Sequence, residues 1–271
     1  MNTDERTTPI CLTIAGLDPS GGAGTIADVK TFFAFGCYPA AAIASITYQN
    51  TQGVYGATHQ SAEELRSQVE PILNDLEVSA VKTGMLPTAE IIEETARLIS
   101  ENDLHNVVID PVVRSTSGFD LIDGAALKRL IEMLFPLADI VTPNAQEAER
   151  ISGVALLSEP DIVAAANIMF GMGAKAVLIK GGHLRHGSSA VDHLLLGGEH
   201  HRIDAPYYDT TSTHGTGCTL AAAIAANLAK GKTMLDAVRI SKDFVNEAIR
   251  TAPKIGKGNS PINIQPIERS G

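Results

Sequence analysis

The sequence predicts an α/β fold, a mostly parallel sheet with helices on both faces. Three observations carry this. Short β-branched runs alternate with longer amphipathic stretches along most of the chain. The runs hold few charges, as strands covered on both faces require. A chain of 271 residues, 44% hydrophobic and 19% charged, is long enough to bury one large core.

The first strand is read at Ile10–Ala15, with a glycine-rich turn and a helix over Gly24–Phe35 behind it. A strand at Ala42–Thr47 precedes a helix at Ala62–Asp75. Ala80–Lys82 and Ala89–Glu101 repeat the unit, and so do Val107–Asp110 and Gly124–Leu134. Ile140–Thr142 leads into Ala145–Ser152 and Asp161–Met172, and Ala176–Lys180 is the last strand of this kind. Gly181-Gly182 breaks the rhythm. Ala190–Leu196 and His200–Ala205 then flank Gly197-Gly198, a hairpin signal. Helices at Thr216–Ala229 and Met234–Thr251 close the pattern. No repeat or low-complexity linker divides the chain, so one domain over 1–271 is expected. Residues 1–9 and 253–271 read as surface arms, the second being rich in Gly, Pro and Asn.

The net charge of -10, with no Lys/Arg cluster, argues against nucleic acid. The absence of Trp, with seven Phe and five Tyr, leaves no stacking platform for single strands. The apolar runs are too short for a bilayer. MNTDERTTPI has no apolar h-region, so no signal peptide is expected and a cytoplasmic protein is the default. Cysteines at 11, 37 and 218 form no C-x-x-C, which suggests neither a disulfide frame nor a thiolate zinc site. Cys11 and Cys37, in apolar surroundings, read as core fillers.

Two glycine clusters are decoys. Gly231-Lys232-Thr233 looks like the end of a phosphate-binding loop, but Ala226 stands where its first glycine belongs and the segment joins two helices. Gly171-Met172-Gly173 follows a helix and precedes a strand, the reverse of a dinucleotide fingerprint.

Two others have the right context. In AGLDPSGGAGTIADVKTF a strand ends, glycines follow and a helix begins. Asp28, early in that helix, either complements the helix terminus or accepts a hydrogen bond from a polar ligand. In THGTGCTL, Gly215, Thr216 and Gly217 leave backbone N–H groups free at a helix start, a nest for phosphate. A thiol there has its pKa lowered by the dipole. Cys218 then either takes a proton from a nearby hydroxyl or simply packs the alanine-rich helix.

THGTGCTL, with AGLDPSGGAG, AVKTGM, VVIDPVV, VTPNAQEAE and LIKGGHL, resembles the hydroxymethylpyrimidine/phosphomethylpyrimidine kinases of thiamine biosynthesis, in the ribokinase-like superfamily. The likeness runs from about Ile10 to about Ala252 with the motifs in family order. It implies a three-layer sandwich with a mostly parallel central sheet, and a homodimer. It implies ATP- and Mg²⁺-dependent phosphorylation of 4-amino-5-hydroxymethyl-2-methylpyrimidine, and then of its monophosphate. It assigns the anion hole to Gly215, Thr216 and Gly217, and the base to Cys218. The pyrimidine pocket falls to Gly16, Asp28, Gln49, Met85 and Val112. A side-chain amide such as Gln49 serves both donors and acceptors of an aminopyrimidine. Taken without the resemblance, Met85 and Val112 are more often core residues, and the resemblance reverses that for Met85. The nucleotide side falls to Asp110, Asn144, Glu147, Lys180 and Lys242, with Asp110 and Glu147 as the carboxylates for Mg²⁺. Asn144 also reads as a helix cap, and Lys242 as a solvated helical lysine.

DPVVRSTSGF departs from the family pattern D-P-V-M-V-A-[KT]-S-G-D at Val113, Arg114 and Phe119. That touches the ring-facing wall and the loop beside it. A pyridoxal/pyridoxine kinase of the same superfamily is the nearest rival, and Gln49-Asn50-Thr51 favours the thiamine branch. A non-catalytic ligand-binding module would be marked by a damaged glycine nest or by loss of Cys218, Asp110 or Glu147. All are present.

Overall fold

The computed structural model describes residues 8–114, 118, 120–181, 185–186 and 189–265. The elements run β1 (Ile10–Leu17), α1 (Gly24–Ala34), β2 (Tyr38–Asn50), β3 (Gly53–His59), α2 (Ala62–Asp75), β4 (Val78–Thr83), α3 (Ala89–Glu101), β5 (Val107–Ile109) and α4 (Gly124–Leu134). They continue with β6 (Ile140–Val141), α5 (Ala145–Ser152), α6 (Glu159–Gly171), β7 (Ala176–Ile179), β8 (Arg185–His186), β9 (Ser189–Leu196), β10 (Glu199–Pro206), α7 (Thr216–Ala229) and α8 (Met234–Arg250).

The described strands form one sheet in the order β10-β9-β7-β6-β5-β4-β1-β2-β3, with β8 paired to β9. From β2 to β7 the neighbours are parallel, and antiparallel pairs close both sides. Side chains alternate across it. Cys11, Val108 and Leu178 pack under α1, α7 and α8. Leu12, Val107 and Ile109 pack under α2 to α6. Both faces are therefore covered, which is why the strands read as continuous apolar runs. Cys11 and Cys37 are buried in the first of these cores.

The decoy glycines are turns: Gly231 follows α7, and Gly171 to Gly173 joins α6 to β7. Gly197 and Gly198 carry the β9–β10 hairpin, both at positive φ.

Two expectations are corrected. β2 is longer than Ala42–Thr47 and turns into β3, an edge strand absent from the sequence reading. β3 holds two glycines and no fully buried residue, so it carries no apolar alternation. The segment from Ile255 to Asn263 is not a free arm. Its amides at Lys257 and Gly258 donate to Thr51 Oγ1, and that of Asn259 to the Thr51 carbonyl. Ser260 and Ile262 are buried. Residues 1–7 and 266–271 of the expected arms lie outside the described residues.

Candidate active site

The carboxyl ends of the parallel strands meet the start of α7 around a cavity of about 910 Å³. Gly16 and Gln49 are the penultimate residues of β1 and β2, and Met85 follows β4. Asp110 follows β5, Asn144 follows β6 and Lys180 follows β7. Ligands of open α/β sheets bind in this position.

The mouth of α7 explains its glycines. Gly215 is the N-cap with φ 87°, and a Cβ there would collide with the Gly22 carbonyl. A Cβ at Gly217 would stand 3.2 Å from Lys180 Nζ and 3.8 Å from Asp110 Oδ2. Thr216 bonds back to the Thr213 carbonyl through both its amide and its hydroxyl. Among the described residues, the amides of Gly217 and Cys218 have no acceptor in the chain. They stay available to an anion.

Cys218 lines the cavity and is partly exposed. The expected lowering of its pKa is corrected. Burial raises the thiol to about 11, with Lys82 the largest opposing influence. The sulfur sits deeper than a surface helix terminus, and loss of solvent outweighs the favourable charges.

Lys180 Nζ donates to Asp110 Oδ1 at 2.8 Å, and Thr142 Oγ1 donates to the same oxygen at 3.1 Å. Asp110 Oδ2 accepts no hydrogen bond among the described residues. Asn144 and Glu147 form a capping box on α5, so the capping reading of Asn144 holds while both residues also line the cavity. Burial pushes the Glu147 carboxyl up to about 7, against the Lys180 charge and with that of Asp110. Lys242 is not solvated. It is buried and pairs with Asp192 at 2.8 Å, because β9 aims Asp192 toward α8.

On the other side, Met85 Sδ lies 3.0 Å from where a Gly16 Cβ would stand, and Gln49 and Val112 complete the wall. Asp28 is not part of it. It is fully buried and accepts from Thr13 Oγ1 at 2.6 Å and from Lys82 Nζ at 2.8 Å. The phase of α1 turns it under Lys82, and Lys82 reaches the cavity instead. Burial disfavours the Lys82 charge, but Asp28, Cys218 and Asp110 outweigh it and hold the ammonium protonated. The structure thus brings together every expected site residue except Asp28.

Of the family departures, Val113 is buried in the core and Arg114 stands at the rim, paired with Asp120 at 2.9 Å. Phe119 lies outside the described residues. Sequence reasoning missed Lys82, Asp192, Asp18 and His214, all lining the cavity. Lys82, Asp18 and His214 sit inside the quoted motifs, and Asp-Pro-Ser is itself a turn signal.

Outside the cavity, Glu159, His193 and His200 form a group of metal-ligand type. The facing imidazole nitrogens are 3.0 Å apart with ring centroids at 5.2 Å, so the rings meet end to end. His193 Nδ1 and His200 Nε2 lie at hydrogen-bond distance, so these two nitrogens partner each other.

Fold and site define a small-molecule phosphotransferase of the ribokinase-like class. The profile described as phosphomethylpyrimidine kinase matches residues 18–263. The chain belongs to that family. It is 42% identical over 252 residues to the hydroxymethylpyrimidine/phosphomethylpyrimidine kinase of Bacillus subtilis, covering 93% of each chain. It is 40% identical over 255 residues to the enzyme of the same name from Haemophilus influenzae, covering 93% of this chain and 95% of that one. Among solved structures it resembles the pyridoxal kinase of Staphylococcus aureus in complex with AMP-PCP and pyridoxal. The TM-score is 0.89 at 33% identity, over 97% of this chain and 96% of the other.

Proposed function

We propose that the chain transfers the γ-phosphoryl group of ATP to the hydroxymethyl oxygen of 4-amino-5-hydroxymethyl-2-methylpyrimidine, and then phosphorylates the monophosphate. The observation that carries this reading is the mouth of α7. Unspent amides, the Lys180 ammonium and the Cys218 sulfur share one cavity with Gly16, Gln49, Met85 and Val112.

The chemistry asks for positioning, charge neutralisation and exclusion of water. The Gly217 and Cys218 amides face the migrating phosphoryl group and stabilise the charge that builds on it. Lys180 and Lys242 add cationic charge from two sides. Cys218 Sγ receives the proton of the attacking hydroxyl. At neutral pH the thiol form dominates, so ionisation has to be compensated, and Lys82 is the charge placed to do it.

Asp110 and Glu147 suit Mg²⁺: both are buried carboxylates on the cavity wall, and among the described residues Asp110 Oδ2 accepts no hydrogen bond. When bound there, the ion would neutralise phosphate charge. Asp28 acts in this reading through Lys82 rather than on the substrate.

A second reading, pyridoxal phosphorylation, is favoured by the likeness to the S. aureus pyridoxal kinase. Product mass with each alcohol, ATP and Mg²⁺ tests both. One and then two phosphates on the pyrimidine supports the main reading. Phosphate on pyridoxal alone replaces it.

We also favour a homodimer acting in the cytoplasm. In support of the dimer, Ile46, Tyr48 and Tyr55 stand exposed on β2 and β3. Among the described residues no helix is long and apolar enough to cross a membrane.

A further inference from the structure

Two turns from opposite ends of the chain meet on the cavity wall. Asp18 follows β1, and His214 stands directly before Gly215, the N-cap of α7. The loop from Asp18 to α1 winds around the Asp18 carboxylate. Oδ1 accepts from the Ser20 amide at 2.8 Å and the Ser20 hydroxyl at 2.7 Å. Oδ2 accepts from the Gly22 amide at 3.2 Å and the Ala23 amide at 2.9 Å. One further bond leaves the loop: His214 Nε2 donates to Oδ2 at 2.8 Å. Burial works against the Asp18 charge, but His214 and Ser20 outweigh it and hold the carboxyl far below its usual range. These donors spend the lone pairs of the carboxylate, so Asp18 has none left for a substrate proton or a metal ion.

His214 is gripped in turn by the C-terminal strap, the segment from Ile255 to Asn263. Its amide donates to the Ser260 carbonyl at 3.2 Å, and its carbonyl accepts from the Ile262 amide at 3.3 Å. Its ring covers Gly22, where a Cβ would collide with it. Gly22 also lies under Gly215, since a Cβ on Gly215 would strike the Gly22 carbonyl. The loop that Asp18 holds therefore supports the opening turn of α7. The same loop reaches the cavity through Ala23 and through Gly24, which packs on the Gly16 carbonyl.

The acceptor side and the phosphoryl side of the cavity thus share one joint. In-line transfer depends on the alignment of hydroxyl and phosphorus, and a misplacement of about 1 Å costs about 100-fold in rate. A slack joint leaves each side its own contacts. Each ligand still binds, and the reaction between them is lost.

We propose that Asp18 and His214 are a positioning pair whose bond clamps the 18–24 loop to the opening turn of α7 and so aligns the acceptor alcohol with the migrating phosphoryl group. This rests on the reading that the mouth of α7 holds that group, and not on which alcohol is accepted.

The test is single-turnover phosphorylation of 4-amino-5-hydroxymethyl-2-methylpyrimidine and of pyridoxal by wild type, His214→Phe, His214→Gln and Asp18→Asn. Calorimetry gives the Kd of each alcohol and of ATP for the same proteins. His214→Phe keeps a ring on Gly22 and removes the donor. His214→Gln restores an N–H donor. The expected result is a rate about 100-fold lower in His214→Phe and Asp18→Asn, with each Kd within about twofold of wild type and the rate partly regained in His214→Gln. The two His214 variants decide the matter by themselves if Asp18→Asn does not fold. An unchanged rate in His214→Phe overturns the proposal, and so does a Kd that weakens as far as the rate falls. Equal losses in His214→Phe and His214→Gln also count against it. A wild type that phosphorylates pyridoxal alone replaces the pyrimidine reading, and the clamp is then judged on pyridoxal. A wild type that phosphorylates neither alcohol ends both.

Discussion

Glu147→Gln separates two jobs that one side chain holds. Glutamine keeps the capping box, because its amide oxygen still accepts from the Asn144 amide. It removes the charge. In the wild type, burial raises this carboxyl from 4.5 to about 7. The folded protein therefore holds the proton more tightly than the unfolded chain. The favourable contribution is complete below pH 4.5 and is lost as pH rises through 7. Linkage for that shift gives a loss on the order of 2 to 3 kcal/mol between pH 5 and pH 8. Glutamine carries no proton to lose. Urea unfolding of the ligand-free protein at both pH values should show the variant gaining on the order of 2 to 3 kcal/mol on wild type as pH rises. Activity should move the other way, with the Mg²⁺ needed for half-maximal rate rising about tenfold. If the stability difference between variant and wild type is the same at pH 5 and pH 8, the buried charge has been misjudged. A variant as active as wild type at low Mg²⁺ removes Glu147 from the metal's environment.

The pH dependence of turnover follows from Cys218. Burial pushes its thiol up to about 11, so the wild-type kcat/KM for the pyrimidine should climb from pH 7 to pH 9.5 as the thiolate fraction grows. A flat profile would count against proton acceptance by sulfur. Lys242→Ala strands the buried Asp192 carboxylate and removes a cation from the nucleotide side. The KM for ATP should rise, with the pyrimidine KM little changed, and the reverse pattern in steady-state kinetics would misplace Lys242. Gly215→Ala drives a methyl into the Gly22 carbonyl at a left-handed position. Activity should fall at least about 100-fold even where the circular dichroism spectrum is native, because the amides of the first turn are displaced. Retained activity would show that the turn geometry is not needed.

The layered fold was legible because buried parallel strands and amphipathic helices have different periods. β3 was not, since an exposed edge strand with Gly53 and Gly56 has no apolar face to read. The C-terminal strap was not, because its order comes from backbone bonds to Thr51 and His214 rather than from a repeating pattern. The motif glycines marked the two loops that border the cavity, while Gln49, Met85, Val112, Asp110, Asn144, Glu147, Lys180 and Lys242 were reached only through the family resemblance. The errors share one cause, which is depth. Asp28 and Cys218 were judged by position along a helix, whereas burial decides their partners and their protonation. Lys242 was placed on the nucleotide side with a solvated lysine as the alternative, and its buried pairing was not foreseen because Asp192 lies 50 residues away in sequence.

The central claim is that the opening turn of α7 holds the migrating phosphoryl group while Cys218 relieves the attacking alcohol of its proton. Single-turnover phosphorylation of 4-amino-5-hydroxymethyl-2-methylpyrimidine by Cys218→Ala at saturating ATP tests it most directly. A rate about 100- to 10,000-fold below wild type, with ATP still bound, is the expected result. A rate near that of wild type contradicts the claim.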